Sequence, residues 1–326
     1  MPDQTLDEST LTPTTTHSPF LPGAKIQYAW DSTSLGYLKT CPRLYQYIMI
    51  DGWAPRGESV HLRFGLEYHS ALEHYDHLRV EGQDHDTAIT NCIRRVVERV
   101  ADWAPDPATR AGRYKNKDTL LSLIIDYLDH FSNDPASTYI KSDGTPAVEL
   151  SFRFPLDFGP EAGQDFYMLS GHLDRVVEFN SQLLVMDRKT TTTTLGSYYF
   201  AQYEPHNQMT LYTLAGRLLL NAPIRGVIID AAQIMLEKPN AFARGFTYRT
   251  DDQLEEWLAD LRTLLSINEV YAANDYWPMN DTSCDKFGGC RFRSICTKSP
   301  SIREKFLTTD FDKLEVDDRW NPLKSR

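Results

Sequence analysis

Two aspartates and a lysine lie in a pair of strand-like runs that could form a metal site. The runs, 166–179 and 182–189, flank the polar dipeptide Asn180-Ser181. Two such runs joined by a two-residue polar turn predict a β-hairpin. If these two residues form the turn, Phe179 faces Gln182, and each step back along the first strand matches one step forward along the second. Asp174 then lies directly opposite Asp187.

This opposition predicts chemistry, because like charges that face each other destabilise a sheet. A divalent cation between the carboxylates would turn their repulsion into binding, and Mg²⁺ and Mn²⁺ prefer oxygen ligands. Lys189 follows Asp187 by two residues and therefore projects from the same strand face. Such a site could hydrolyse a phosphodiester. The alternative is a solvated hairpin face with incidental charges, and a one-residue register slip would undo the pairing.

Length and composition indicate a soluble globular protein. The 326 residues are 41% apolar and 24% charged, enough for one large domain or two modest ones. No apolar run approaches the roughly 20 residues of a membrane span, and the N-terminus lacks a secretory signal, so we expect a cytoplasmic location and no membrane partner. A net charge of −11 argues against non-specific coating of nucleic acid but not against an enzyme with a local basic channel.

The order of the predicted elements indicates a mixed α/β domain with a helical insertion at 84–140. Residues 1–24 are rich in Thr, Ser and Pro and are predicted to be disordered. The segment 304–326 is predicted to be a polar C-terminal tail. Helices are expected at about 60–79, 84–103, 117–132, 204–220 and 251–274, and strands outside the hairpin at 147–155, 226–236 and 245–249.

Three late cysteines, Cys284, Cys290 and Cys296, are separated by five residues each. In a chain of cytoplasmic type this pattern favours metal binding over disulfides. A tetrahedral zinc or an iron–sulfur cluster needs a fourth thiolate, for which Cys41 is the candidate because Cys-Pro begins a helix. The cluster would tie the beginning of the folded chain to its end. The spacing alone does not decide between zinc and iron–sulfur, and three reduced cysteines in a loop are the alternative.

Basic and aromatic residues alternate around the late cysteines. Arg291 and Arg293 lie close to Phe287 and Phe292. Cations that meet phosphates and rings that stack on bases suit single-stranded nucleic acid. The alternative is a solvated face whose aromatic side chains pack on the cluster.

Several short motifs occur together in a characteristic order. They are FGLEYHSALEHY with His69, VELSF with Glu149, GHLDRV with Asp174, MDRK with Asp187 and Lys189, and QMTLY with Gln208 and Tyr212. Over residues of about 30–300 the chain resembles the RecB-type branch of the PD-(D/E)XK nuclease superfamily. With its cysteines it is similar to the iron–sulfur members, which include AddB-type helicase-nucleases, CRISPR-adaptation exonucleases and relatives in phages.

The resemblance implies a restriction-endonuclease-like core, in which helices flank a mixed central β-sheet. It implies one nuclease domain over 25–303, capped by a cysteine cluster segment at 276–303. The implied metal ligands are His69, Asp174, Asp187 and the backbone carbonyl of Arg188. Lys189 would orient the attacking water and stabilise the pentavalent charge, while Gln208 and Tyr212 would position DNA or support the site. Glu149 matches an acidic position on the first strand.

For the cysteines, the resemblance implies a 4Fe-4S cluster on Cys41, Cys284, Cys290 and Cys296, with zinc as the alternative. The spacing of five residues between Cys284 and Cys290 departs from the family, where two is usual.

We therefore expect a Mg²⁺- or Mn²⁺-dependent deoxyribonuclease, an exonuclease acting on DNA ends or single strands. Recombination, repair or phage DNA processing are the expected settings, with a helicase or recombinase as partner in a bacterial or phage-infected cytoplasm. Two alternatives from other classes are a catalytically weak DNA-binding accessory protein and a zinc-stabilised interaction module.

Overall fold

A computed structural model of the protein describes residues 18–161, 166–286 and 289–324. Within them the strands alternate with helices along most of the chain. The strands are β1 (Ala29–Trp30), β2 (Trp53–Pro55), β3 (Ser137–Thr138), β4 (Val148–Pro155), β5 (Met168–Phe179), β6 (Gln182–Thr191), β7 (Gly226–Gln233), β8 (Ala241–Tyr248) and β9 (Phe311–Lys313).

Helices fall at all five ranges where the apolar periodicity predicts them, with ends that shift by a few residues, and other helices fall outside those ranges. The helices are α1 (Ser32–Thr40), α2 (Pro42–Tyr45), α3 (Val60–Val80), α4 (His85–Arg99), α5 (Arg110–Tyr114), α6 (Lys117–His130), α7 (Ser197–Ala201), α8 (Asn207–Leu220), α9 (Asp251–Ala273), α10 (Arg293–Cys296) and α11 (Arg303–Asp310). A π-helical turn, Gln46–Ile50, follows α2. None of the helices in the described ranges is both long and apolar enough to cross a membrane.

The chain forms two compact units that interleave in sequence. Unit 1 takes the described residues within Met1–Ala54, Pro155–Ser170 and Glu269–Arg326, and unit 2 takes those within Pro55–Phe154 and Gly171–Asn268. The predicted domain, 25–303, draws on both units.

The predicted hairpin is confirmed. Strands β5 and β6 pair antiparallel from Phe179↔Gln182 to Arg175↔Met186, the register that the sequence predicts. Asn180 and Ser181 both have positive φ angles, 50° and 59°, as in the two-residue turns that match the twist of a hairpin. One position beyond the last paired residues, Asp174 and Asp187 lie across from each other.

The sheet of unit 2 is mixed. Strands β3 and β4 pair with β5, and the order continues β5–β6–β7–β8. Strand β7 runs parallel to β6 and antiparallel to β8. A mixed central sheet flanked by helices confirms the predicted fold class.

The two faces of β6 carry different side chains, because successive residues of a strand alternate. Val185, Asp187 and Lys189 share one face, and Met186 and Arg188 the other. Helix α8 lies close over the first face: a Cβ added at Gly216 would lie 3.1 Å from Val185 Cγ2.

Helices α3, α4 and α6 form a layer with its own apolar core in unit 2. Side chains such as Phe64, Cys92 and Ile124 are fully buried in this layer, together with Ala232 and Ile234 at the end of β7. The predicted helical insertion therefore packs on the sheet. Cys92, which lies among the apolar positions of α4, is a core residue.

Unit 1 contains the two ends of the described chain. Strand β1 pairs in parallel with the first residues of β5, and β2 pairs with β9. Asp31 and Ser34 form a capping box at the start of α1. Pro42 is the first residue of α2, a position where its missing N–H costs little.

Two predicted tails are more ordered than their composition indicates. Residues 1–17 of the predicted disordered segment lie outside the described residues, but Phe20 bridges to Gln27 and Leu21 is buried. The predicted polar tail includes β9 and most of α11, and its Leu307 and Phe311 are buried in an apolar cluster. A few apolar side chains anchor each segment, which average composition does not reveal.

Candidate active site

The candidate active site lies in unit 2, on the face of β6 that carries Asp187 and Lys189. The ammonium Nζ of Lys189 donates a hydrogen bond to Asp187 Oδ1 at 3.0 Å. The other oxygen, Oδ2, lies 2.7 Å from Nζ but outside hydrogen-bonding geometry, and this buried atom has no hydrogen-bond partner among the described residues. Asp187 Oδ2 is therefore paired in charge with Lys189 but accepts no hydrogen bond from the described residues, which leaves it able to bind a further ligand.

Asp174 completes the acidic pair and receives two donors of its own. Its Oδ2 accepts the backbone N–H of Arg188 at 3.1 Å and lies 3.1 Å from His69 Nδ1. Burial alone would raise the pKa of Asp174, but His69, Lys189 and the Arg188 N–H together hold it well below its usual range. Asp174 is therefore ionised at neutral pH.

The two carboxyl groups differ electrostatically. Burial and the charge of Asp174 raise the pKa of Asp187, against the opposing effect of Lys189. Burial disfavours the ammonium of Lys189, but Asp187 and Asp174 raise its pKa above the ordinary value. For His69, burial lowers the pKa, but the charge of Asp174 and the contact with it raise the pKa above its ordinary value. Each carboxylate therefore favours the charged form of a neighbouring cation, and the two acidic groups are matched by two basic ones.

Helix α8 supports Lys189 through two polar side chains one turn apart. Gln208 Oε1 accepts a hydrogen bond from Lys189 Nζ at 3.1 Å. The amide Nε2 of the same Gln208 donates to Tyr212 OH at 3.0 Å. Gln208 and Tyr212 can form this chain of contacts because residues four apart lie on the same face of a helix.

Glu149 is the second residue of β4 and is partly buried. Its backbone has a φ of 49°, a left-handed conformation that is uncommon for a residue other than glycine. Non-glycine residues in this region are found at functional sites more often than elsewhere. The role of Glu149 stays a prediction.

The described residues contain no group of three or more His, Cys, Asp or Glu side chains that is close enough to hold a metal ion as it stands. The donor set still fits a divalent cation. It offers two opposed carboxylates, an imidazole that contacts one of them, and Asp187 Oδ2, which accepts no hydrogen bond from the described residues. His69, Asp174, Asp187 and the Arg188 carbonyl therefore stay the predicted ligands.

Asp76 and His206, and the role of the Arg188 side chain, were missed from the sequence. Arg188 pairs with Asp76 through Nη2 and Oδ2 at 2.7 Å. Asp76 lies seven residues after His69 on α3, a helical spacing that could have indicated a shared face. His206 precedes α8, and burial with the nearby cations Lys189 and Arg249 lowers its pKa to about 4.

The candidate cysteine cluster lies in unit 1. Cys41 caps α2, and its Sγ accepts the backbone N–H of Asn280 at 3.3 Å. Cys290 N–H donates to the carbonyl of Cys284 at 2.8 Å, and Cys296 ends α10. All are free thiols. Burial and the neighbouring Cys290 and Cys41 raise the pKa of Cys284.

The predicted nucleic-acid contacts beside the cysteines differ in their surroundings. Arg291 and Arg293 are both exposed, but Arg293 pairs with Asp285. Phe292 is 1% exposed and packs against Tyr47 and Phe311, so the proposal that its ring stacks on bases is wrong. Its position at the centre of an apolar cluster supports the packing alternative. Phe287 lies outside the described residues.

Comparisons with known proteins place the chain in a family. The family model of the PD-(D/E)XK nuclease superfamily matches residues 32–297. A crystal structure called "Putative exonuclease" from Eubacterium rectale is 13% identical, covers 86% of this chain and 93% of its own, and has a TM-score of 0.45. The crystal structure of SSO0001 is 14% identical, covers 53% of this chain and 71% of its own, and has a TM-score of 0.25. No curated protein gave a match.

The superfamily model begins at the start of α1 and ends just after the last cysteine, so it includes every candidate residue of both sites. This agrees with the resemblance that the sequence motifs predict, while the iron–sulfur branch stays a prediction. The protein belongs to the PD-(D/E)XK nuclease superfamily.

Proposed function

We propose that this nuclease is a Mg²⁺- or Mn²⁺-dependent deoxyribonuclease, and specifically an exonuclease that acts at DNA ends or on single strands. One observation carries the proposal. At the open end of the β5–β6 hairpin, Asp174 and Asp187 face each other, and Lys189 and His69 each contact one of the two carboxylates. Stability of the fold alone gives no reason to bury two opposed carboxylates in this way.

Asp174, Asp187, His69 and the carbonyl of Arg188 would hold the metal ion. When bound, a divalent cation lowers the pKa of a bound water and stabilises negative charge on the scissile phosphate. Asp187 contributes the oxygen that has no hydrogen-bond partner among the described residues.

Lys189 acts as a cation rather than as a base. Its pKa is raised by Asp187 and Asp174, so the ammonium is protonated at neutral pH and has no lone pair with which to accept a proton. It can donate a hydrogen bond to a phosphate oxygen or to the attacking water and so stabilise the charge that develops in the transition state. Gln208 keeps the ammonium on the site face of β6.

Cys41, Cys284, Cys290 and Cys296 would hold a structural cluster of the 4Fe-4S type, with zinc as the alternative. The N–H of Asn280 on Cys41 Sγ supports this role, because hydrogen bonds to the sulfurs are part of the environment of such clusters. Recombination, repair or phage DNA processing in the cytoplasm, with a helicase or recombinase as partner, are the settings that we propose.

The test is cleavage of end-labelled linear DNA and of circular DNA, in single- and double-stranded forms, with Mg²⁺, Mn²⁺ or EDTA. Asp174→Ala and Lys189→Ala should each lower the cleavage rate by about 10²-fold or more. Asp129→Ala and Lys238→Ala, which change exposed residues of the same types, should leave the rate unchanged.

Three outcomes would contradict parts of the proposal. Metal-dependent cleavage that survives both site substitutions would overturn the site. Cutting of circular DNA at the rate of linear DNA would overturn the exonuclease assignment. Tight DNA binding by the unaltered protein without any cleavage would indicate the accessory-protein alternative.

A further inference from the structure

An open cavity in unit 2, at the end of the sheet where β6 begins, is rich in arginine. It has a volume of about 490 Å³ and is lined by the side chains of Gln182, Arg217, Arg225, Tyr248, Arg249 and Asp251, among others. We call it the arginine pocket. Three arginines and one aspartate give it two net positive charges, in a chain whose own net charge is −11.

Arg249 is a buried cation without a counter-ion. It is 8% exposed, and no carboxylate of the described residues lies within ion-pairing distance of it. Its guanidinium donates instead to neutral oxygens: Thr210 Oγ1, Thr247 Oγ1, and the carbonyls of Tyr248 and Tyr203. Burial lowers the pKa of Arg249, and only Glu204, at longer range, opposes this effect. A buried charge of this kind costs free energy that a bound anion would offset.

The backbone fixes a second, exposed arginine beside Arg249. The N–H of Arg249 donates to the carbonyl of Arg225 at 3.2 Å, and the N–H of Arg225 donates to the carbonyl of Leu183 at 3.1 Å. The side chain of Arg225 is exposed and makes no bond to any residue in the described ranges. It is therefore available to a ligand.

Arg217 has a structural role in the pocket, because its guanidinium is already bound by other residues. Its Nη1 lies 2.5 Å from Asp251 Oδ1, and its Nε and Nη2 donate to the carbonyls of Ile224 and Arg249. This pair neutralises the only acidic side chain of the lining, which leaves Arg225 and Arg249 as the uncompensated cations.

We propose that the arginine pocket binds a phosphate group of a nucleic-acid strand. Guanidinium groups match phosphate oxygens in geometry as well as in charge. The ring of Tyr248, 51% exposed at the pocket, offers a face on which a base can stack.

The pocket and the candidate active site lie on the same strand. Gln182 begins β6 and Asp187 follows five residues later, so these two residues are about 17 Å apart along the strand at about 3.3 Å per residue. This is the length of about five base-pair steps of duplex DNA. A strand of a few nucleotides could therefore be anchored in the pocket while its other end is processed. The identity of the strand as DNA rests on the proposed function, whereas the phosphate chemistry does not.

The experiment measures binding of a fluorescein-labelled single-stranded oligodeoxynucleotide by anisotropy, in EDTA so that no cleavage occurs. Arg225→Glu should weaken binding about tenfold and lower the slope of log Kd against log salt by about 0.7 for the lost contact. Arg225→Lys should retain part of the affinity. Arg94→Glu, the same charge change at an exposed position on α4, is the matched control and should have a much smaller effect.

A parallel thermal-unfolding measurement with inorganic phosphate alone distinguishes a site for free phosphate from a site for the phosphate of a nucleic-acid strand. Stabilisation of the unaltered protein but not of Arg225→Glu, together with weaker oligonucleotide binding, supports the proposal. Phosphate stabilisation with unchanged oligonucleotide binding would show a site for free phosphate and overturn the nucleic-acid ligand. Equal effects of Arg225→Glu and Arg94→Glu, or no effect of either, would overturn the pocket. Loss of the proposed nuclease activity would appear separately, in the cleavage assay.

Discussion

The guanidinium of Arg188 lies 2.7 Å from the carboxylate of Asp76, and both side chains are buried. The pair lies on the face of β6 opposite Asp187 and Lys189, and it ties the strand that carries them to α3, which carries His69. Asp76 also lies 3.6 Å from Arg175 Nη1 on β5. The three elements that supply the candidate site are thus joined beneath it by buried charges.

The network continues through the sheet. Arg244 binds both oxygens of Asp134 and, through Nε, Asp230 at 3.1 Å. Tyr127 donates a hydrogen bond to the other oxygen of Asp230. The network as a whole is neutral, because its three arginines are matched by three aspartates. These residues are Arg175, Arg188, Arg244, Asp76, Asp134 and Asp230.

Removal of the Asp76 charge should destabilise the protein and disturb the site. Asp76→Asn leaves Arg188 without its nearest counter-ion, and breaking a buried pair from one side costs about 3–5 kcal/mol. We expect this loss in denaturant unfolding. In conditions where the variant is folded, we also expect a lower kcat for DNA cleavage at an unchanged KM, because α3 no longer holds His69 at Asp174.

Two controls make this prediction specific. Asp76→Glu keeps the charge and should recover part of kcat, and Asp129→Asn changes an exposed aspartate and should affect neither quantity. A stability loss without any change in kcat would show that the pair supports the fold alone.

The contacts from α8 to Lys189 predict a graded series. Gln208→Leu removes the acceptor of Lys189 and the donor to Tyr212, so cleavage should fall by about 10- to 100-fold. Tyr212→Phe removes only the outer hydroxyl and should cost less, about threefold to tenfold. Single-turnover rates at saturating DNA measure both effects. Tyr139→Phe, a similar change at a partly exposed tyrosine, serves as the control, and an order reversed between the two variants would contradict the proposed contacts.

Lys115 predicts a pH dependence of stability. The side chain is 7% exposed, its Nζ lies 5.3 Å from the ring centroid of Phe64, and burial lowers its pKa to about 8. The unfolded chain, with a lysine pKa of about 10.4, binds more protons between pH 8 and 10.5. The contribution of Lys115 to the free energy of unfolding should therefore rise with pH across this window, and its full penalty is present below pH 8.

Lys115→Met should remove this penalty. After allowance for partial solvation and for the lost cation–π contact, we expect the variant to be about 1–2 kcal/mol more stable at pH 7. Urea unfolding at several pH values measures the difference between the two proteins, which should shrink as the pH rises toward 10.5. A difference that is constant with pH would contradict the lowered pKa.

The cysteines predict a cofactor that can be removed. Protein purified without oxygen should contain iron and acid-labile sulfide, and Cys41→Ser or Cys290→Ser should lower both and lower Tm. Cys92→Ser is the matched control: its thiol donates to the Ala71 carbonyl in the helical core, and burial raises its pKa to about 12, so it is a poor ligand. A colourless protein with stoichiometric zinc would overturn the iron–sulfur cluster, and equal iron loss in Cys92→Ser would contradict the ligand set.

The hairpin could be predicted from the sequence because its register depends on local information. The turn residues Asn180 and Ser181 and the alternation of β5 and β6 fix which residues face each other. The same holds for Gln208 and Tyr212, whose helical spacing of four is visible in the chain.

The remaining features depend on contacts between distant segments. Nothing in the local pattern pairs Asp76 with Arg188, which are 112 residues apart, or places Arg249 next to Arg225. The basic residues around Phe292 suit a contact with nucleic acid, with packing as the alternative, and its burial against Phe311 decides for packing. Buried polar networks and cavities arise from the assembled fold, and single-sequence periodicity does not report them.

The two faces of β6 separate the residues of the candidate active site from residues that stabilise the fold. One of its faces carries Asp187 and Lys189 of the candidate active site, and the other carries Arg188, which forms the buried ion pair with Asp76. Substitutions of Asp187 or Lys189 are therefore expected to lower activity while the Arg188–Asp76 pair that supports the fold is kept. Asp187→Asn is therefore a suitable substrate-trapping variant, which should bind DNA without cleaving it. By the same reasoning, a few substitutions at the candidate site could convert a nuclease with this fold into a protein that only binds DNA.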